Sequence, residues 1–124
     1  MPDSGVFLVP MDGSEDSANA LAVALRLARA SGARLAALYV SKPGQLSRRK
    51  RLPASSLDVF AEKEPDEGDE ARLALMPARI WAKTAGVLVD LLAARGDAAH
   101  EITEAARALP AQRIVMGIVR FTGV

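Results

Sequence analysis

Cysteine is absent from the 124 residues, which removes disulfides, thiol nucleophiles and thiolate metal sites and excludes a secreted, disulfide-stapled scaffold. Charge of one sign is not in excess either: 16 Lys and Arg stand against 15 Asp and Glu, a formal net charge of +1. No overall field therefore draws the chain to nucleic acid or to an anionic membrane, and neither is expected as a partner. Long apolar runs are missing, since the Ala18 to Ala30 stretch is interrupted by Arg26 and Arg29 and falls short of the roughly 20 residues that span a bilayer. The start shows no signal-peptide pattern, so a cytoplasmic address is the expectation. Aromatics are scarce at 4%, although half of the residues are apolar, and side chains as small as Ala and Val suit helices packed closely against a sheet.

The length fits one domain, residues 1–124, with a single core. Val6, Phe7, Leu8 and Val9 form an unbroken apolar run that reads as a strand buried on both faces, ended by Pro10 and Gly13. Ser14 then caps a helix whose first turn carries Glu15 and Asp16, where negative charge meets the positive end of the helix dipole. Leu21, Ala24, Leu25 and Ala28 repeat at helical spacing, and Gly32 is the stop. Leu35 to Val40 is a second strand, which a helical crossover makes parallel to the first.

From 41 to 70 the periodicity vanishes. A basic run, Arg48 to Arg51, is followed by an acidic one from Glu62 to Glu70, and the span reads as a flexible loop. The basic run lacks interleaved aromatics and reads as a solvated segment rather than a nucleic-acid contact. Leu73, Met76, Ile80 and Thr84 then mark one face of a second helix, with Trp81 packing beside them and Pro77 expected to kink or restart it. Val87 to Ala93 reads as a third strand, at an edge because it carries Asp90. Asp97 caps a third helix with Ile102, Ala105, Ala106 and Leu109 toward the sheet, Pro110 ends it, and Ile114 to Met116 is a fourth strand, continuous and buried. Alternation of strands and helices predicts an α/β fold, a three-layer, doubly wound parallel sheet.

Open sheets of this kind bind ligands beyond the carboxyl ends of their strands. That rim gathers Val9-Pro10-Met11-Asp12-Gly13-Ser14, Tyr39-Val40-Ser41 and the segment from Met116 to Val124. Taken singly, Asp12 also suits a tight turn without any ligand, and Gly117 also suits a strand end. His100, in the first turn of a helix with no second His, reads as a solvated residue, and no metal site follows.

The stretch Val9 to Val40, VPMDGSEDSANALAVALRLARASGARLAALYV, resembles the opening of a universal stress protein, and GDAAHEI from Gly96 to Ile102 with IVMG from Ile114 to Gly117 resembles its later half. The resemblance implies an adenine nucleotide alpha hydrolase-like sheet in the strand order 3-2-1-4. It further implies a cytoplasmic stress-response or regulatory protein that binds ATP or another adenine nucleotide, with no metal beyond nucleotide-associated Mg, and with at most weak ATP hydrolysis. Carried over, Pro10, Met11 and Asp12 would meet the ribose or adenine side, Val40 would read adenine through its main chain, and Met116 and Gly117 would let backbone amides approach phosphate.

Where the family turn has a second glycine, Arg120 stands here and offers a positive charge instead, and Gly123 matches a further small position. The sequence stops at Val124, before the family's closing Gly-Ser pair, last helix and last strand, through which many relatives dimerise. Two readings stay open: a nucleotide-binding homodimer, and a degenerate member acting through contacts with another protein. An adenylating enzyme is a third and weaker reading, because Asp12 to Ser17 lacks the adjacent glycines of such a loop and no base is placed beside it.

Overall fold

The computed structural model describes residues 5–41, 58–60 and 68–117. Five strands and three helices follow one another as β1 (Val6–Pro10), α1 (Glu15–Ser31), β2 (Arg34–Ser41), β3 (Asp58–Phe60), α2 (Gly68–Ala85), β4 (Val89–Arg95), α3 (Ala98–Ala108) and β5 (Arg113–Ile114). The four strands read from the sequence are β1, β2, β4 and β5, and they pair in parallel in the expected order, β4-β2-β1-β5.

Alternation along each strand builds two cores. Phe7, Val9, Leu35 and Ala37 point to one face, where α1 and α2 cover them with Leu21, Ala24, Leu75 and Ala78. Leu8, Ala36, Leu38 and Leu92 point to the other, where α3 packs through Ala105 and Ile102. Side chains of period two on a sheet covered on both faces make β1 apolar throughout, as its sequence shows.

Helix α1 begins and ends on the residues its sequence indicates. Ser14 accepts the N–H of Ser17 at 3.0 Å, and Gly32, at φ +79°, donates its N–H to Ala28 at 2.8 Å. Asp97 does for α3 what Ser14 does for α1, accepting from the N–H of His100 at 3.0 Å. Asp97→Ala should lower stability by about 1 kcal/mol, while Asp97→Asn, which still caps, should cost only a fraction of that; thermal unfolding of the two variants checks it.

At four places the structure corrects or completes the sequence reading. First, β4 is not an edge: β3, lying inside the 41–70 span, pairs antiparallel with it so that Asp58, Val59 and Phe60 oppose Ala93, Leu92 and Leu91. Asp90 lies just outside that cover and is matched by Arg34 of β2 at 2.8 Å, which explains a carboxylate within an otherwise apolar strand.

Second, the stripe of Leu73, Met76, Ile80 and Thr84, with Trp81 beside it, faces away from the sheet, a side that the spacing alone left open. Ala71, Ala74, Leu75, Ala78 and Ala82 are buried, whereas Leu73, Met76, Ile80 and Trp81 are exposed. Alanines let the helix lie close to the sheet, and the larger residues are left outside. Third, of the two outcomes expected at Pro77 the restart does not occur, since α2 continues through it as one helix. Proline removes the N–H that would bond the carbonyl of Leu73, and Leu73 is on the exposed side of the helix.

Fourth, the last strand is neither long nor buried. Only Arg113 and Ile114 pair with β1, extended by one bond from the N–H of Val115 to Leu8, and Ile114 and Met116 are exposed. Among the described residues, no helix is long and apolar enough to cross a membrane.

Candidate functional site

The turn that follows β1 is held by its own side chains. Asp12 accepts the N–H of Ser14 at 2.9 Å through Oδ1, and the Ser17 hydroxyl donates to the Ser14 carbonyl at 3.0 Å. The N–H of Asp12 lies 3.4 Å from the Ser17 hydroxyl. Gly13, at φ +87°, supplies the left-handed residue this closure requires.

Hydrogen bonds from Ser14 hold the Asp12 carboxyl below its usual value of 3.8, outweighing the smaller opposing effect of partial burial. Asp12 is therefore ionised at neutral pH. Because the folded value lies below the unfolded one, its contribution to folding is present above about pH 4 and is lost as the pH falls through the folded value. The carboxylate also lines the cleft beside the turn.

This turn forms one wall of a cleft across the carboxyl ends of the strands. Pro10, Met11, Asp12, Ser14, Asp16 and Ser17 line that wall, Leu38 and Val40 of β2 the floor, Ala98 and Ile102 of α3 the opposite side, and Met116 and Gly117 the end beyond β5. Six of the residues singled out in the sequence thus meet in one place: Pro10, Met11, Asp12, Val40, Met116 and Gly117. Arg120 and Gly123 lie outside the described residues.

The six are not equivalent. Met11 is buried in the core beneath α1 and α2, and its N–H donates to the Leu38 carbonyl at 2.8 Å, closing the last link between β1 and β2. Along β2 the main-chain groups alternate in direction. Those of Leu38 point to β1, and the carbonyl of Ser41 points toward β4, where the N–H of Gly96 donates to it at 2.9 Å. Val40 therefore presents its N–H and C=O on the β1 side, past the last β1–β2 pair, Pro10 and Leu38. A donor and an acceptor side by side on an open strand end can read the edge of a flat heterocycle.

Gly117 has a tighter reason for being glycine than an approach to phosphate. A Cβ built there would lie 2.6 Å from the carbonyl carbon and oxygen of Asp16. The segment after β5 thus leans directly on the first turn of α1.

Composition and spacing did not single out Ser17, Asp16 or Ile102 as lining residues. Ser17 is legible in retrospect as the hydroxyl three residues after the cap. Glu101 also went unread: it is buried at the start of α3, in space that Gly96 leaves open, since a Cβ on Gly96 would come within 2.8 Å of Glu101 Oε2. Among the described residues, no group of three or more His, Cys, Asp or Glu is placed to hold a metal ion.

The universal stress protein family model matches residues 5–124. A protein from that family in Burkholderia pseudomallei is similar at 28% identity, over 94% of this chain and 85% of the other, with a TM-score of 0.68. A universal stress protein solved in complex with cAMP superimposes with a TM-score of 0.66 at 24% identity, over 89% of this chain and 73% of its own. UspA from Lactobacillus plantarum does so with a TM-score of 0.66 at 22% identity, over 99% and 83%. No curated protein matches the chain.

Proposed function

Because the chain belongs to the universal stress protein family, we propose that it is a cytoplasmic stress-linked regulatory protein that binds an adenine nucleotide in the cleft over the carboxyl ends of β1 and β2. The observation that carries this reading is the pairing of two unlike recognition elements. The main-chain groups of Val40 suit the edge of adenine, and the ionised carboxylate of Asp12, an acceptor that lines the same cleft, suits the hydroxyls of a ribose. The cAMP in one of the structures above belongs to that protein, and makes an adenine nucleotide the class to try first.

Two carboxylates, Asp12 and Asp16, line the cleft, and bare phosphate is disfavoured beside Asp12. The adenosine end belongs between Asp12 and Val40, with the phosphates toward Met116 and Gly117, for which Arg120 and Gly123 are the further proposed contacts. ATP would bring its own Mg2+, whose charge suits Asp16. Turnover beyond weak ATP hydrolysis is not part of the proposal. The same reading carries a homodimer, supported by the β5 end of the sheet, where Ile114 and Met116 are exposed.

The decisive experiment is to heat-denature freshly purified protein, identify any released nucleotide by mass spectrometry, and titrate the empty protein with ATP, AMP and adenosine. Asp12→Asn keeps an oxygen for the N–H of Ser14 but removes the charge and replaces one acceptor oxygen by a donor. It should weaken nucleotide binding about tenfold, roughly 1.4 kcal/mol, with little change in melting temperature. Equal affinity of the variant and the parent would remove Asp12 from the site, and an empty protein that ignores millimolar ATP would overturn the reading.

A further inference from the structure

Helix α2 is apolar on two opposite sides, which an ordinary surface helix is not. Its alanine-rich side faces the sheet, while on the outer side Leu73 is 66% exposed, Ile80 51%, Trp81 40% and Met76 39%. Residues at i, i+7 and i+11 stay on one line of a helix. Leu73, Ile80 and Thr84 form such a line, and Arg72, Arg79 and Lys83 form a second at the same spacing, one residue behind. Two rows, one apolar up to Thr84 and one basic, therefore run side by side, the apolar part from Leu73 to Ile80 spanning about 10 Å.

No acid interrupts them: from Ala71 to Ala85 the sequence contains neither Asp nor Glu. The preceding acid, Glu70, is engaged by the Tyr39 hydroxyl, which donates to it at 3.2 Å. The side chains of Arg79 and Lys83 are exposed and make no ion pair among the described residues. Helix α1 lies beside α2 on the same face of the sheet and continues the pattern, with Val23 and Leu27 exposed and Arg26 and Arg29 outward.

We propose that the outer face of α2, with α1 beside it, docks an amphipathic helix of a partner protein that carries an acidic row alongside an apolar stripe. The charge complement is set by Arg79 and Lys83, and the apolar complement by Leu73, Met76, Ile80 and Trp81. On α2 the cations flank the apolar line on one side only. A lipid surface is the same in every in-plane direction and gains nothing from that offset, whereas a helix with two rows of its own is oriented by it. This surface is separate from the cleft, which no residue of α2 lines.

Trp81 is the single tryptophan and reports directly on the proposed contact. The full chain is titrated with a synthetic helix of about 18 residues, five turns, bearing Leu along one stripe and Glu along one flank, and separately with the same composition scrambled. A saturable blue shift of Trp81 emission is expected with the helix alone. Its affinity should fall roughly tenfold or more in the Arg79→Glu, Lys83→Glu double variant and in Ile80→Asp, each with the far-UV spectrum and melting temperature of the parent. An absent shift, or an equal one with the scrambled peptide, overturns the proposal. A shift with phosphatidylglycerol vesicles but not with the helix would make this a lipid-binding face, and concentration-dependent burial of Trp81 without peptide would make it a self-association face; either also overturns it.

Discussion

Replacing Leu8 by alanine is expected to lower the unfolding free energy by about 3–5 kcal/mol, a large fraction of the roughly 5–15 kcal/mol that holds a domain of this size together. Leu8 is fully buried at the centre of β1, and the residues packed around it on the α3 face include Ala36, Ala94 and Ala105. Alanine has no rotamer to swing into a void, so the space left by the lost atoms stays open, and the cost should fall in the upper part of the range for such changes. The melting temperature should drop by roughly 10–20 °C. Leu27→Ala, on the outward side of α1, serves as the comparison and should change stability by about 0.5 kcal/mol or less. A Leu8→Ala variant that melts within a few degrees of the parent would mean that the α3 face is looser than described.

Gly117→Val is expected to abolish measurable nucleotide binding and to cost about 1–3 kcal/mol in stability through overpacking. Gly117 is not among the glycines with positive φ, so what it requires is room rather than an unusual backbone. Its missing Cβ would meet the main chain of Asp16 at 2.6 Å, and the first turn of a capped helix has little freedom to withdraw. The segment after β5 must therefore move off α1, taking Met116 and the end wall of the cleft with it. Gly117→Ala should already show most of the loss, because the clash begins at Cβ. Calorimetric titration with ATP and AMP measures the first effect and thermal melting the second. Unimpaired binding by the valine variant would show that the nucleotide does not depend on this wall.

The half of the fold that was legible from sequence is the half in which local signals and burial agree. Ser14, Gly32 and the apolar run of Val6 to Val9 each have one good structural use, and α1, β1 and β2 follow from them. Helix α2 defeated the same logic, because periodicity in large apolar residues found a stripe but could not say which side the sheet would take. The sheet took the alanines, whose small size allows close packing but gives a weak hydrophobic signal. Strand β3 was invisible for a related reason: three residues are too few for a pattern, and antiparallel pairing to β4 is a long-range event.

In the cleft, the residues at strand ends were legible because topology alone brings those ends together. What sequence did not reveal was the use made of each. Met11 turned out to be core with only its edge exposed, and Gly117 a packing glycine against α1. Glu101 needed the backbone path at Gly96 before its burial made sense.

The bonds among Asp12, Ser14 and Ser17 also bear on how this turn is interpreted in other chains. Since Asp12 closes the turn, Ser14 caps α1 and Ser17 ties the two together, folding by itself selects for Asp-Gly-Ser followed by Ser three residues on. A descendant that stopped binding nucleotide would still be under pressure to keep those letters. Persistence of the motif would then reflect the demands of the β1–α1 junction, and ligand binding must be traced through positions that folding leaves free to drift.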